Sequence, residues 1–220
     1  MASQVSHIVY AKRLFDALED SEKISSLRNE RNLQIPDGFD KDLFLLGCTF
    51  PDIRRIDRKI KRKDTHLRFE PLDLDFSSLG SFEAGWKFHL YCDMRREEIL
   101  NGHGFYSLKG TTDFFCGPAK LLEDELIYND YNNWEKIISY FRNVPSIEIG
   151  IDVDKETFSL WYAILAKYME EQPTTKTMRV FMSKQFGIGG DLNDIMETVD
   201  NLRKNKKAVE IILKINNEII

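Results

Sequence analysis

The stretch from Phe82 to Asn101 most constrains the fold, because its sequence predicts a long, continuous helix. His89 and Asp93 lie four residues apart in its middle, and therefore on one helix face, one turn above the other. An imidazole and a carboxylate at that spacing can converge on a single metal ion. Such pairs also arise by chance in many helices, so the prediction depends on further ligands elsewhere in the chain.

Most of the remaining chain also has helical periodicity. Helices are predicted over residues 4–20, 40–46, 118–128, 132–144, 155–172, 174–186, 191–204 and 206–219. We therefore expect an all-α fold, a multi-helix bundle around a buried metal site with an additional C-terminal helical region. The expected division is a metal-binding helical domain over residues 1–144 and a C-terminal helical extension over 145–220. The extension would pack on the first domain or form one continuous domain with it.

Two glycines and one serine lead to specific structural expectations. Gly47 is expected to end the helix over residues 40–46 as its C-cap. Gly85 lies inside the long helix, where glycine costs about 1 kcal/mol relative to alanine. We interpret it as a position where another helix must approach closely. Ser81 is expected to cap the start of the long helix.

Composition narrows the class of protein. The chain has 220 residues, and no apolar run approaches the roughly 20 residues that span a bilayer. Its first residues lack the basic and apolar regions of a secretory signal. Three scattered cysteines without a Cys-x-x-Cys spacing argue against a disulfide framework and a thiolate zinc site. These features predict a cytoplasmic protein that does not insert into membranes.

The segment from Arg54 to Arg68 is unusually basic. Eight of its fifteen residues are Lys or Arg, although the whole chain carries a net charge of −5. Such a run is commonly a solvated surface. The functional interpretation is phosphate binding beside a reaction centre, since arginine matches phosphate oxygens bidentately. Arg54 and Arg55 are the candidate phosphate contacts.

His7 is expected to face inward, because it lies on the apolar stripe that continues through Ala11, Leu14 and Leu18. The simpler interpretation of such a residue is a core histidine bonded to a carbonyl group. The alternative is a metal ligand. The chain has only four histidines, so an inward-facing one is informative.

Two further residues have arguments for lining an interior site. Asp52 follows Pro51, where the chain leaves a buried helix end, so it either caps the next helix or reaches into the interior. His66 follows fourteen residues later, and its basic neighbours should lower its pKa and keep the imidazole neutral. His103 lies between two glycines and is more typical of an exposed loop.

These residues occur in a recognisable order. A first helix carries His7, an apolar helix ends in Gly-x-x-x-Pro-Asp at Asp52, a Thr-His pair ends at His66, and Gly-x-x-x-His-Leu-x-x-Asp contains His89 and Asp93. The pattern resembles the zinc-dependent phospholipase C superfamily, which includes the single-strand-specific zinc nucleases. The resemblance covers roughly residues 4 to 100, and a shorter intracellular branch matches best.

The resemblance implies an all-helical hydrolase of phosphate esters. Asp52, His66, His89 and Asp93 would form one metal site, and His7 would help to bind a second ion bridged through Asp93. A metal-activated water would cleave the ester, most simply a phosphodiester. Zinc is the implied metal, although these donors also accept manganese or iron.

The chain departs from the family in its third-metal group. After Asp93 it offers only His103, with Glu97 and Asp113 as companions, so one or two ions are expected rather than three. Glu97, or alternatively Asp57, is the candidate for orienting the attacking water. With Asp52, Arg54 and Arg55, Glu97 completes the expected catalytic set. The second half of the chain contains no motif with a recognisable chemistry.

The expected partner is a phosphate-containing small molecule or a nucleotide, with nucleic acid left open. Two alternatives remain. One is a non-enzymatic helical module in which the cluster is a structural metal site or a polar core network. The other is an HD-type nucleotide phosphohydrolase, which ranks lower because it requires an adjacent His-Asp pair that this chain does not contain.

Overall fold

A computed structural model describes residues 4–66, 69–111, 116–187 and 190–220. The predicted all-α fold is confirmed, because the regular elements of these ranges are helices and none is a strand. The α-helices are α1 Gln4–Leu18, α2 Ser21–Arg31, α3 Lys41–Thr49, α4 Arg62–Thr65, α5 Ser81–Gly102, α6 Gly117–Ile127, α7 Trp134–Arg142, α8 Lys155–Tyr168, α9 Thr175–Ser183, α10 Leu192–Lys204 and α11 Lys206–Glu218. Short 3-10 helices cover Phe50–Arg55, Phe105–Ser107 and Tyr128–Asp130.

Helices α3 and α5 cross in backbone contact at two glycines. A Cβ atom on Gly47 would lie 2.0 Å from the carbonyl oxygen of Phe82. A Cβ atom on Gly85 would lie 2.0 Å from the carbonyl oxygen of Phe44. The expectation that Gly85 admits a neighbouring helix is confirmed. The expectation for Gly47 was wrong: α3 continues past it to Thr49, because this glycine serves the crossing and not a left-handed turn.

The starts of the two crossing helices are also joined. Asp40 caps α3, and its side chain accepts hydrogen bonds from the backbone of Asp42 and Leu43. The backbone N–H of Asp40 in turn donates to Ser81 Oγ over 2.8 Å. Ser81 is the first residue of α5 and Gly80 occupies its N-cap, so the predicted capping role of Ser81 was wrong. Its hydroxyl is used to hold the start of α3 instead.

The last turn of α3 leaves carbonyl groups without helical partners, as every helix end does. Side chains from two other helices supply the donors: Tyr162 Oη to Leu46 O at 2.7 Å, His89 Nδ1 to Cys48 O at 2.7 Å, and Trp161 Nε1 to Thr49 O at 3.0 Å. Helix α8 therefore packs directly on α3, so the C-terminal half of the chain helps to build the region around His89.

Helix α6 fixes the beginning of α1. The carboxylate of Asp124 accepts hydrogen bonds from the backbone N–H groups of Gln4 and Ser6 and from the hydroxyl of Ser6. These bonds satisfy donors that the first turn of a helix leaves exposed. They also set the position of His7, one residue further along.

Within the described ranges, no helix combines the length and the apolar character that crossing a bilayer requires.

Because α3 and α5 cross at Gly85, alanine substitutions at the two glycines of α5, Gly85 and Gly102, should affect stability differently. Gly85→Ala should lower the free energy of unfolding by more than about 3 kcal/mol, because the added methyl group meets backbone that cannot move aside. Gly102→Ala is the matched control, since its Cβ would meet nothing within 4 Å. It should change stability by no more than about 1 kcal/mol. Urea unfolding measures both, and equal effects would contradict the close crossing.

Candidate metal centre

Three buried side chains from two helices converge inside the bundle. His7 comes from α1, and His89 and Asp93 come from α5. One ligand atom of each lies within 4.8 Å of the others. His7 Nε2 lies 3.9 Å from Asp93 Oδ1, and His89 Nε2 lies 3.8 Å from Asp93 Oδ2. This group, which we call the triad, could hold a metal ion.

The hydrogen bonding of His89 suits a metal ligand. Its Nδ1 donates to the carbonyl oxygen of Cys48 over 2.7 Å, so the lone pair of the neutral ring is on Nε2. His89 is fully buried, and Nε2 has no hydrogen-bond partner among the described residues. A buried polar atom in that state costs roughly 1–3 kcal/mol. A metal ion would satisfy it, and a second ring nitrogen bonded to a carbonyl is the usual support for such a ligand.

The two imidazoles of the triad are stacked. The ring centres of His7 and His89 are 4.0 Å apart, and the ring planes differ by only 12°. Each ring faces a different oxygen of the same carboxylate. Asp93 therefore presents one carboxylate oxygen to each ring, Oδ1 to His7 and Oδ2 to His89.

Asp93 opens onto a cavity of about 240 Å³ that combines two carboxylates and one imidazole with four cationic side chains. Its lining residues are Asp52, Arg54, Arg55, Arg62, His66, Asp93 and Lys120. The predicted ligands Asp52 and His66 thus share a cavity wall with Asp93, although they lie outside the triad. The His66 ring centre is 6.1 Å from that of His89, with the rings nearly perpendicular.

Asp52 reaches into the interior. Its Oδ2 accepts a hydrogen bond from Gln4 Nε2 over 3.1 Å, and its Oδ1 lies 3.5 Å from Arg54 Nη2 and 3.9 Å from Arg55 Nε. Of the two roles left open for Asp52, the interior one is therefore observed. The predicted phosphate ligands Arg54 and Arg55 lie beside it, on the same cavity.

His66 is held at the cavity by the long helix. The indole of Trp86 on α5 donates to the carbonyl oxygen of Thr65 over 2.5 Å. Thr65 Oγ1 in turn lies 3.1 Å from His66 Nδ1. With Nδ1 engaged, Nε2 is the nitrogen that remains for a ligand role.

Opposite charges keep both carboxylates of the cavity ionised. Burial alone would raise the pKa of Asp93, but the charge and hydrogen bond of Lys120, together with the two adjacent imidazoles, outweigh it and hold the pKa well below the ordinary value. Burial likewise acts to raise the pKa of Asp52, whereas the neighbouring charges of Arg54 and Arg55 act to bring it below the ordinary value. Ionised carboxylates are the form that binds metal.

The imidazoles of His66 and His89 are kept neutral. Burial, reinforced by the nearby Arg62, lowers the pKa of His66 to about 4. The expectation that basic neighbours depress this pKa is confirmed in direction, with burial as the larger cause. Burial also lowers the pKa of His89, although the charge of Asp93 opposes it. Neutral histidines and charged carboxylates together form a donor set ready for a cation.

Lys120 is the residue of the cavity that the sequence did not reveal. It comes from α6, is 3% exposed, and its Nζ contacts Asp93 Oδ1. Lys120, Glu123 and Asp124 share one helix face, which in isolation is the pattern of a solvated surface. All three are nevertheless buried. The signal in the sequence was their position among the leucines and alanine of a largely apolar helix.

The structure places three other candidate residues away from the cavity. Glu97 accepts hydrogen bonds from Arg96 Nη1 at 3.0 Å and from the hydroxyl of Tyr106. Asp57 accepts from the backbone of Lys59 on a separate cleft. His103 faces Glu218 at 3.1 Å. None of the three lines the cavity within the described ranges, and Asp113 lies outside those ranges.

Comparison of the chain with protein-family models, with curated proteins and with solved structures found no match.

If the triad binds the metal ion, replacing His89 should lower the affinity for zinc, whereas replacing His103 should not. His89→Ala should weaken zinc binding by more than about 100-fold, beyond the loss typical of groups that only orient a ligand. His103→Ala is the matched control, because His103 pairs with Glu218 away from the triad. Titration calorimetry of the metal-free protein measures both affinities. Equal loss in the two variants would show that the triad is not the binding site.

Proposed function

We propose that this protein is a metal-dependent hydrolase of phosphate esters, most simply of a phosphodiester, related to the zinc-dependent phospholipase C superfamily. The observation that carries the proposal is the composition of one cavity. Asp93 of the triad opens onto it, together with three arginines and a lysine. A carboxylate of the triad, which could hold a metal ion, and cationic side chains suited to a phosphate thus line a single cavity.

The donor set indicates which residues would hold the ion. His89 and Asp93 are the principal ligands. His7 is the further donor within the triad, and His66 and Asp52 are further donors that line the cavity beside Asp93. Two or three histidines with carboxylates favour zinc, and also accept manganese or iron. A bound ion would supply an acidified water and would polarise a phosphoryl oxygen.

The arginines are suited to hold the phosphate. Cationic side chains outnumber carboxylates by two in the cavity lining, so an anion is attracted there even though the whole chain is acidic. Arg54 and Arg55 are only partly exposed, and the Nε atoms of both have no hydrogen-bond partner among the described residues. Each guanidinium group carries five N–H donors, so it can bind phosphate oxygens in addition to its contact with Asp52.

The size of the cavity bears on the substrate class. A volume of about 240 Å³ lies below the roughly 300–1,000 Å³ of pockets that enclose whole ligands. We infer that the phosphate and its immediate substituents enter, while the remainder of a small molecule or nucleotide stays outside. Cys48 and Cys92 are buried thiols outside any disulfide, which supports a reducing, cytoplasmic location.

A second candidate is a non-enzymatic module in which these residues form a structural core network. It is favoured by the partners that both carboxylates already have: Lys120 for Asp93, and Gln4 with Arg54 for Asp52. Catalytic turnover separates the two candidates, because a structural network would bind no phosphate ester productively.

Hydrolysis of bis(p-nitrophenyl) phosphate by the zinc-loaded protein is the direct test. Arg54→Gln should lower kcat/KM by about 10- to 100-fold, the effect expected from losing a hydrogen bond to a charged group. Arg58→Gln is the matched control, because Arg58 belongs to the same basic run but packs on the ring of Phe186. It should keep nearly full activity. Absence of any metal-dependent turnover on this diester or on the corresponding monoester would reject the hydrolase.

A further inference from the structure

Lys120 occupies a defined side of the Asp93 carboxylate. Its Nζ contacts Oδ1, the oxygen that faces His7 Nε2, whereas Oδ2 faces His89 Nε2. The lysine is almost completely buried, and α6, which carries it, is tied to the start of α1 through Asp124. Its ammonium group is therefore a built part of the site and not a mobile surface charge.

The stacking of His7 and His89 separates the two sides of this carboxylate. An imidazole binds a metal in the plane of its ring, along the lone pair of the nitrogen. Two nearly parallel, stacked rings cannot both direct their lone pairs at one ion unless one of them turns out of the stack. The arrangement thus offers two cation positions, one beside His89 and Oδ2 and one beside His7 and Oδ1.

We propose that the ammonium group of Lys120 occupies the second of these positions, so that the centre binds one metal ion and uses Lys120 as its fixed second cation. The inference rests on the proposed metal centre and deepens it. Paired metal ions in phosphate-cleaving sites lie about 3.5–4 Å apart and neutralise the substrate together. Here the side chain of Lys120 lines the same cavity and takes over that neutralising role.

The charge of Lys120 also explains why a second ion is excluded. An ion at the His7 side would have to displace a buried ammonium group from its carboxylate, or bind beside a like charge at short range. Among the described residues the triad supplies only His7 and one oxygen of Asp93 on that side. A carboxylate in place of Lys120 would reverse the charge and add the missing ligand.

Metal stoichiometry tests the inference without an activity assay. Metal-free protein is dialysed against excess Zn²⁺ and analysed for zinc per chain, and the Mn²⁺-loaded protein is examined by electron paramagnetic resonance. The wild type should bind one ion and give the spectrum of an isolated Mn²⁺. Lys120→Glu should bind two ions and give the spectrum of a coupled pair.

Lys63→Glu is the matched control, since it makes the same charge change on the neighbouring basic run without contacting Asp93. It should bind one ion. Two ions in the wild type would overturn the role of Lys120 and leave the metal centre intact, whereas no ion in the wild type would overturn the metal centre itself. If Lys120→Glu does not fold, the stoichiometry and the spectrum of the wild type still distinguish one bound ion from two, and so still test the role of Lys120.

Discussion

The crossing of α3 and α5 at Gly47 and Gly85 is the constraint on which the rest of the site depends. Because neither residue has a side chain, α3 and α5 approach until backbone meets backbone. That approach brings the carbonyl oxygen of Cys48 within 2.7 Å of His89 Nδ1. The bond fixes both the ring and its tautomer, and so leaves Nε2 facing Asp93. A feature of helix packing therefore determines the chemistry of an imidazole.

The charges around this histidine are balanced within the protein. Lys120 neutralises Asp93, and Arg54 and Arg55 neutralise Asp52, so the buried carboxylates keep their charge without a bound ion. Buried ion pairs contribute little net stability, because desolvation offsets their attraction. We propose that their value is functional, because they hold carboxylates beside cationic groups in one cavity, an arrangement that suits a metal ion and a phosphate together.

Sequence reasoning succeeded where local periodicity decides the outcome. The one-turn spacing of His89 and Asp93, the inward face of His7 and the close approach at Gly85 all follow from helix geometry. It failed where tertiary contacts override local patterns. Gly47 was expected to end a helix that continues through it. Lys120 was missed because a lysine followed by two acidic residues at helical spacing has the pattern of a surface, and only the packing of α6 shows it to be buried.

The proposal that the triad is a metal centre beside Lys120 can be tested by anomalous diffraction at the zinc absorption edge, from crystals of the zinc-loaded protein. We expect one strong peak beside His89 Nε2 and Asp93 Oδ2, with Lys120 still in contact with Oδ1. A crystal with no peak at the triad, or with zinc bound only at a surface pair such as His103 and Glu218, would contradict it.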